Sequence, residues 1–530
     1  EGLGEEGYIL QTIRWKDRPT VVAAGRTTAG VNNAVSELIT WRLELNGETA
    51  TVPLGLDLAE KPALPYRILW SWDGEQNWPD TLAELDVREG PSPATDRDAF
   101  LTHFQRAIDY ASDHKLNGII IWGFIRDERG GIETCRELIR YANRNNVRLL
   151  PGICTQSAYG GFTYSKDSPF NLENWTTKHP ELRFVHPRTG KPDIGICPSQ
   201  PENIEWLREA TRWFLETFPD IGGVNLENGD WMYCICDSCK LARSKPGNDP
   251  NFFWDQMASY QPVMEEIQRL RPDIWLTFAT YVGYTEAELS GTIAQAKKTG
   301  FGEGGEVPPK MVFQLPAGGI YQWTFTNMAG AGGWPDGARP PAYDRGDHIG
   351  LLHQGSIWGS PVDPARWWAT PNANTKYDDI SELLKAVCAK IQGAGLHGLV
   401  IKGQSGIVSP ANELAYTAME YFTWHPERSY EQFMEDRLSL LYGGDERAEL
   451  FLELLRETDR DANVLKLHQE RAAELAQSEE FESRQQVRWR NLADEIARRQ
   501  RMLATAAESE AKGPANEEES FVAPPPPPLP

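Results

Sequence analysis

The chain has 530 residues and a formal net charge of -23. The chain is too long for a single small domain, since a domain usually holds about 100–200 residues and an α/β barrel alone takes about 250. The acidity argues against nucleic acid as a partner, because phosphate binding requires a basic surface, and equally against adhesion to anionic membranes. Solubility alone would also account for it.

No apolar run reaches the roughly 20 residues that a transmembrane helix needs. The sequence starts at Glu1 without a Met, which is compatible with removal of an N-terminal signal, and we expect a secreted or periplasmic protein. Seven cysteines, an odd number in a large chain, do not indicate a disulfide framework. Nineteen tryptophans suit either stacking on sugar rings or packing in a core.

Residues 1–62 are predicted to form a small α+β domain. The segments "YILQTIRW" and "PTVVAAG" are rich in β-formers, whereas "AGVNNAVSELITWRL" has apolar residues at helical spacing. In "ELNGETATVPL", two short strands flank an Asn-Gly turn. The segment "EKPALP" then serves as a linker.

Residues 63–410 are predicted to form a (β/α)8 TIM barrel of the α/β class. Short apolar runs alternate with amphipathic stretches, which is typical of βαβ units and a parallel sheet. The candidate strands are 67–72, 118–124, 147–153, 221–227, 274–280, 310–316, 349–355 and 398–404. Two longer connections, 155–200 and 317–347, are expected to be irregular and to lie at the C-terminal face, where barrel active sites occur.

The remainder divides at about residue 511. Residues 411–510 are predicted to be a C-terminal helical region, whose helices are candidates for self-association; the oligomeric state itself is not fixed by the sequence. Residues 511–530 end in "APPPPPLP", a composition typical of a disordered or polyproline II tail.

Strand 4 of the predicted barrel carries the strongest catalytic candidate. Asn225 and Glu227 are two residues apart at its end, so on a strand they face the same side. A Glu at the end of an apolar strand is partly withdrawn from water, which raises its pKa and suits a general acid. The alternative is a structural Glu that closes the barrel mouth by pairing with Lys402 or Arg126.

If Glu227 is the general acid of a glycoside hydrolase, a second carboxylate must act as base or nucleophile. The candidates near strand ends are Asp73, Asp127 and Asp230, with Glu128 beside them. Each has an alternative interpretation as a cap or a solvated loop charge. The ends of strands 5 to 8 offer no acid.

Aromatic and polar side chains at the same strand ends are predicted to bind substrate. Tryptophans there would stack on sugars, and cations or a histidine would bind polar or anionic groups. The predicted set is Trp70, Trp72, Arg126, Asn225, Trp231, His353, Trp358 and Lys402. Core packing is the alternative for the tryptophans and for His353.

The segment "CICDSC" places Cys234, Cys236 and Cys239 within six residues. Thiolates this close can share a tetrahedral zinc, with Cys197 or Cys154 as the fourth ligand. A disulfide or free buried thiols are the alternatives. Such a zinc would be structural, since catalytic zinc usually has His or carboxylate ligands and an open position, and we expect no cofactor to be required for catalysis.

Several of these segments resemble glycoside hydrolases of the family 67 α-glucuronidase and family 20 β-hexosaminidase type. "YRILWSWD" is similar to the first barrel strand of the α-glucuronidases, and "VNLENG" is similar to their fourth. The resemblance implies a small α+β domain before a (β/α)8 barrel, with Glu227 as the general acid. Two departures stand against a complete match: "FQLPAGGIYQW" and "LLHQGSIWG" lack the late-strand acids, and Leu226 precedes Glu227 where the hexosaminidases have Asp.

The expected function is therefore hydrolysis of a glycosidic bond in a polysaccharide or oligosaccharide. Lys402 and Arg126 are candidates to bind a carboxylate or sulfate of the substrate, such as that of a uronic acid. The alternative is that they neutralise the acidic residues at the strand ends. The alternative function is a non-catalytic glycan-binding protein on a decayed hydrolase barrel, which the missing late-strand acids favour.

Overall fold

The structure is a computed structural model that describes most of the chain. The described ranges are 2–46, 49–74, 76–85, 96–156, 160–187, 189–227, 233–244, 253–279, 311–316, 347–352, 381–393, 397–403, 406–457 and 461–511. Among them, no helix combines the length and the apolar character that crossing a membrane requires.

The N-terminal part is a small antiparallel sheet covered by one helix. Its strands are β1 Tyr8–Trp15, β2 Arg18–Gly25, β3 Glu44–Asn46, β4 Thr49–Thr51 and β5 Asp57–Glu60. Strand β1 lies between β2 and β5, and β3 and β4 pair with each other in a separate antiparallel sheet. The helix Thr28–Ser36 begins at Thr27, whose hydroxyl accepts from the amide of Gly30, and continues as a π-helical turn over Glu37–Arg42.

The next ten strands contain the predicted parallel sheet. In chain order they are β6 Tyr66–Trp72, β7 Gly118–Trp122, β8 Arg148–Cys154, β9 Arg183–Val185, β10 Pro192–Ile196, β11 Gly223–Glu227, β12 Trp275–Ala279, β13 Met311–Pro316, β14 Asp347–Leu352 and β15 Gly398–Lys402. All except β9 and β10 pair in parallel, in chain order, and β15 pairs back to β6 to close the ring. Each of these eight strands overlaps one of the predicted runs.

Side chains alternate between the two faces of the ring. Ile119 and Ile121 pack outward beneath the helices, whereas Ile120 and Trp122 belong to the inner cluster. The described α-helices that connect barrel strands are Leu82–Leu85, Arg97–Asp113, Gly131–Arg144, Leu172–Lys178, Pro201–Thr217, Asp237–Arg243, Phe253–Leu270 and Ser381–Gly393. The α/β fold with a curled parallel sheet is confirmed. The complete (β/α)8 repeat stays a prediction, because the connections on either side of β13 lie outside the described residues.

The connection between β8 and β11 differs from the prediction. It was expected to be irregular over 155–200, but it contains a helix, Leu172–Lys178, and an antiparallel hairpin of β9 and β10. Strands of three and five residues are too short for alternation to reveal them in sequence. The other long connection, 317–347, lies almost wholly outside the described residues.

Helices follow the barrel, as predicted. Their bounds are Pro410–Trp424, Tyr430–Phe433, Ser439–Tyr442, Asp445–Leu455, Ala462–Leu475 and Ser483–Ala511, with a π-helical turn at Met434–Leu438. The last helix returns to the N-terminal part, where Arg484 donates to the carbonyls of Thr40 and Leu43 at 3.1 Å each. The predicted proline-rich tail lies outside the described residues.

Candidate active site

The C-terminal end of β11 carries Asn225 and Glu227 into the mouth of the barrel. Val224 and Leu226 pack outward into the layer beneath the helices, which leaves Asn225 and Glu227 on the lining face. The Asn225 Oδ1 atom accepts a 2.7 Å hydrogen bond from the hydroxyl of Thr277 on β12. Glu227 is only 6% exposed, and its carbonyl accepts from the amide of Thr155 at 2.7 Å.

Three tryptophans form one wall of this mouth. The rings of Trp72 and Trp122 lie 5.5 Å apart, and those of Trp70 and Trp72 lie 6.0 Å apart, edge to face. Trp70 and Trp122 are buried inside the barrel, whereas Trp72 is half-buried. Of the two predicted stacking residues that the structure describes, Trp70 is thus placed in the core, and Trp72 is the one with an accessible face.

Trp122 is an inner residue that the search for polar strand ends missed. Its indole packs against Gly152, where a Cβ atom would lie 2.3 Å from the ring. A glycine is therefore needed on the neighbouring strand to admit the ring. Alternation from Ile120 along "GIIIW" would have placed Trp122 in the lining.

Asp73, the second-carboxylate candidate at the end of β6, is held by two arginines. It is 1% exposed and forms ion pairs with Arg126 and Arg129. The Arg126 guanidinium also lies 3.8 Å from the centre of the Tyr164 ring and keeps part of its surface exposed. Asp73 thus orients the Arg126 guanidinium at the rim.

Asp127 is exposed and begins a short 3-10 turn, Asp127–Arg129, beyond β7. Its carboxylate accepts from the amide of Lys166 at 3.1 Å, which is the behaviour of a loop charge. Lys402 is the last residue of β15, but its side chain is not among those described. The predicted residues that lie outside the described part of the chain are Asp230, Trp231, His353 and Trp358.

Gln156 is a further polar residue of this rim. It is fully buried just beyond β8, directly after Thr155, and its side-chain amide has no hydrogen-bond partner among the described residues. A buried amide group usually forms hydrogen bonds, because a buried donor or acceptor without a partner costs free energy. Gln156 is therefore a candidate for binding a polar ligand next to Glu227.

Beside the mouth, the structure brings together Cys197, Cys234, Cys236 and Cys239. Their four Sγ atoms all lie within 4.8 Å of one another. Cys197, which follows β10, is the fourth member, whereas Cys154 lies in the inner cluster of the barrel. Hydrogen bonds from the thiols of Cys197 and Cys239 lower the pKa of Cys234, and the same coupling raises the pKa values of Cys197 and Cys239. Whether a metal binds there stays a prediction.

Comparison with known proteins shows similarity in fold rather than in sequence. No protein-family model matches the chain, and no curated protein sequence matches it. One similar solved structure is a GH138 enzyme targeting pectin rhamnogalacturonan II, with a TM-score of 0.51 at 10% identity over 85% of this chain and 49% of that one. Another is a family GH115 4-O-methyl-α-glucuronidase with specificity for decorated arabinogalactans, with a TM-score of 0.51 at 10% identity over 94% of this chain and 63% of that one.

The resemblance to glycoside hydrolases is confirmed for the fold. The chain spans about half the length of the GH138 enzyme and less than two thirds of the glucuronidase. A GH20 exo-β-N-acetylglucosaminidase from Vibrio harveyi is more distant, with a TM-score of 0.47 at 13% identity over 84% of this chain and 67% of that one.

Proposed function

We propose that this protein hydrolyses a glycosidic bond in an oligosaccharide or polysaccharide at the mouth of a (β/α)8 barrel. The observation that carries the proposal is the position of Glu227. This carboxyl group is almost fully buried at the C-terminal end of β11, on the lining face of a fold shared with glycoside hydrolases. Catalytic residues of such barrels come from the C-terminal ends of the strands.

Glu227 acts in the proposal as the general acid. Such a group must hold its proton until the leaving oxygen needs it, and exclusion of water from a carboxyl group favours the neutral form. As the glycosidic C–O bond breaks, the Glu227 proton passes to the leaving oxygen. Asn225, whose orientation is fixed by Thr277, binds a sugar hydroxyl, and Trp72 stacks on the sugar ring.

In this proposal the second carboxylate is Asp230. Of the four candidates, Asp73 already forms ion pairs with two arginines, and Asp127 and Glu128 are exposed on a turn. Asp230 follows Glu227 by three residues in the sequence, and β11 ends at Glu227. It would activate water or attack the anomeric carbon, and the separation of the two carboxylates would decide between inversion and retention.

The preferred substrate in this proposal carries an anionic group such as a uronic acid. The partly exposed guanidinium of Arg126 is held in place on one side by Asp73 and on the other by the ring of Tyr164. A guanidinium fixed in this way can bind a carboxylate with less loss of side-chain freedom than a mobile one.

The test replaces Glu227 by Gln, which keeps the shape of the side chain and removes the transferable proton. We expect kcat to fall by about 10²–10⁴-fold on natural uronic-acid-containing oligosaccharides. On a dinitrophenyl glycoside of the same sugar the loss should be much smaller, because that leaving group departs without a proton. The matched control is Glu133→Gln, at an exposed acid that pairs with Arg136, which should retain activity.

Three outcomes would count against the assignment. Normal turnover by Glu227→Gln would remove Glu227 from catalysis, and an equal loss on both substrates would remove its role as an acid. A wild-type chain that binds these oligosaccharides in calorimetry and hydrolyses none of them would favour the glycan-binding alternative. The ion-paired state of Asp73 is the observation that keeps that alternative open.

A further inference from the structure

We propose that Cys197, Cys234, Cys236 and Cys239 bind one zinc ion, which fastens the β9–β10 hairpin to the segment that follows β11. The proposal concerns a structural site and is independent of the proposed hydrolase activity. It also accounts for the motif "CICDSC", which has no role in the proposed catalysis.

The spacing of the sulfur atoms suits a single tetrahedral ion. A zinc–sulfur bond of about 2.3 Å in tetrahedral geometry separates neighbouring sulfur atoms by about 3.8 Å. The Sγ of Cys197 lies 3.4 Å from that of Cys239 and 3.6 Å from that of Cys236, and all four atoms fall within 4.8 Å. An iron–sulfur cluster spreads its thiolates over several iron atoms and would hold them further apart.

Burial and ligand type point to a closed structural site. Cys197, Cys234 and Cys239 are buried, and only Cys236 is partly exposed. Four thiolates fill the tetrahedral positions of zinc and leave no place for a water molecule, whereas catalytic zinc keeps one position open. Sulfur-only ligation of this geometry favours zinc or iron over the harder cations, and we commit to zinc.

The surrounding donors are arranged to stabilise thiolates. The Cys234 Sγ atom accepts from the amides of Val185 at 3.2 Å and Cys236 at 3.5 Å, and the Cys236 Sγ accepts from the amide of Cys239 at 3.4 Å. The Ser199 hydroxyl lies 3.0 Å from the Cys239 Sγ. Such donors offset the excess negative charge of four thiolates on one divalent ion and orient the ligands.

The site connects two segments that are distant in sequence. The amide of Ile235 donates to the Val185 carbonyl at 3.0 Å, beside the cysteines. Arg243 donates to the Cys234 carbonyl at 2.8 Å and forms an ion pair with Asp255 on the next helix. Bound zinc would add four strong bonds to these contacts and fix the rim beside the end of β11.

The first experiment measures the metal content of the purified full-length chain by inductively coupled plasma mass spectrometry. We expect one zinc per chain in the wild type. In Cys236→Ala the zinc should be lost, and because this cysteine is the partly exposed member, its removal leaves no deep cavity. The matched control is Cys388→Ala, a buried thiol on the helix Ser381–Gly393, which should keep one zinc.

The second experiment does not depend on the folding of a variant. Wild-type chain produced with cobalt in place of zinc should show the thiolate charge-transfer and tetrahedral ligand-field absorption bands of a cobalt–sulfur site. Removal of zinc by a chelator should speed proteolytic cleavage within 183–197 and 233–244 and leave cleavage elsewhere unchanged.

The outcomes separate clearly from the question of activity, since none of these measurements uses turnover. Iron instead of zinc, a disulfide between two of the four cysteines, or a metal-free protein with four alkylatable thiols would overturn the proposal. Retention of zinc by Cys236→Ala would also overturn the assignment of the ligands.

Discussion

At Gly123 the backbone turns from β7 into the loop that carries Arg126, with a φ of +75°. A Cβ atom there would lie 2.2 Å from Oδ1 of Asp73, the carboxylate that holds Arg126 and Arg129. Glycine is needed at this position both for its left-handed conformation and for the close approach of that carboxylate.

We therefore predict that Gly123→Ala lowers stability by more than the backbone conformation alone would cost. The left-handed conformation costs a residue with a Cβ about 1–2 kcal/mol, and displacement of Asp73 from its arginines adds to that. The matched control is Gly190→Ala, with a φ of +66° and no atom near the new Cβ. Equal shifts of the two urea-unfolding midpoints would show that the Asp73 contact contributes nothing.

Residues with a local signal could be predicted from the sequence. Glu227 follows from strand alternation and an apolar run, and the cysteine cluster follows from spacing within six residues. The pairing of Asp73 with Arg129 and the placement of Gln156 could not be predicted, because they depend on which strand ends become neighbours around the ring. The identity of the second carboxylate could not be predicted for the same reason.

At the scale of elements, the eight barrel strands were predictable because each is a short apolar run between helical stretches. The helix that starts at Thr28 shows where the same reasoning fails. Its predicted apolar stripe is partly exposed, with Val31 at 37%, Val35 at 38% and Ile39 at 55%, whereas Glu37 is fully buried. The partners that make this burial possible lie 78 and 400 residues away.

Those partners are Lys115 and Arg437. Together with Glu37 and Glu420 they form a buried group of four charges. Lys115 Nζ lies 2.6 Å from Glu37 and 2.7 Å from Glu420, and Arg437 bonds the same two carboxylates at 3.1 Å. Burial alone would raise the pKa of Glu37, but Arg437, Lys115 and Arg42 together hold it well below its usual range. The group ties the N-terminal part to the turn that follows the barrel helix Arg97–Asp113 and to the C-terminal helices.

We predict that Lys115→Met destabilises the protein by about 3–5 kcal/mol, because it leaves two buried carboxylates that share Arg437, with Arg42 as a further partner of Glu37 alone. The urea-unfolding midpoint measures the loss. The control is Lys466→Met, which removes an exposed pair with Glu470 at helical spacing and should cost less than about 0.5 kcal/mol. A small effect of Lys115→Met would show that the four charges do not couple the three parts.

At the scale of the whole molecule, buried carboxylates that are paired with cations make stability depend on pH. Burial acts to raise the pKa of Glu60, but its hydrogen bond and attraction to His425 lower that pKa to about 2. The pKa of Glu420 is also lowered, because Arg437 and Lys115 outweigh its burial. Carboxylates with depressed pKa values stabilise the fold above their unfolded pKa and lose that contribution as the pH falls, so we expect acid to destabilise the protein.

His114 adds a separable contribution at milder pH. Burial between Tyr110 and Trp41 lowers its pKa from 6.5 to about 4, although Glu420 acts to raise it. Between these two values the unfolded chain binds the His114 proton and the folded chain does not, so protonation favours unfolding. Stability should therefore fall by about 3 kcal/mol as the pH drops from 6.5 to 4, at about 1.4 kcal/mol per pH unit for one proton.

The variant His114→Gln isolates this contribution. Whatever its stability at pH 7, its unfolding free energy should change less steeply than that of the wild type between pH 6.5 and 4, because no imidazole titrates there. His179→Gln, at a half-buried histidine that pairs with Glu181, serves as the control for removal of an imidazole elsewhere. Urea unfolding at half-unit steps of pH measures the slopes, and identical slopes for His114→Gln and the wild type would mean that His114 takes up its proton in the folded state as readily as in the unfolded chain.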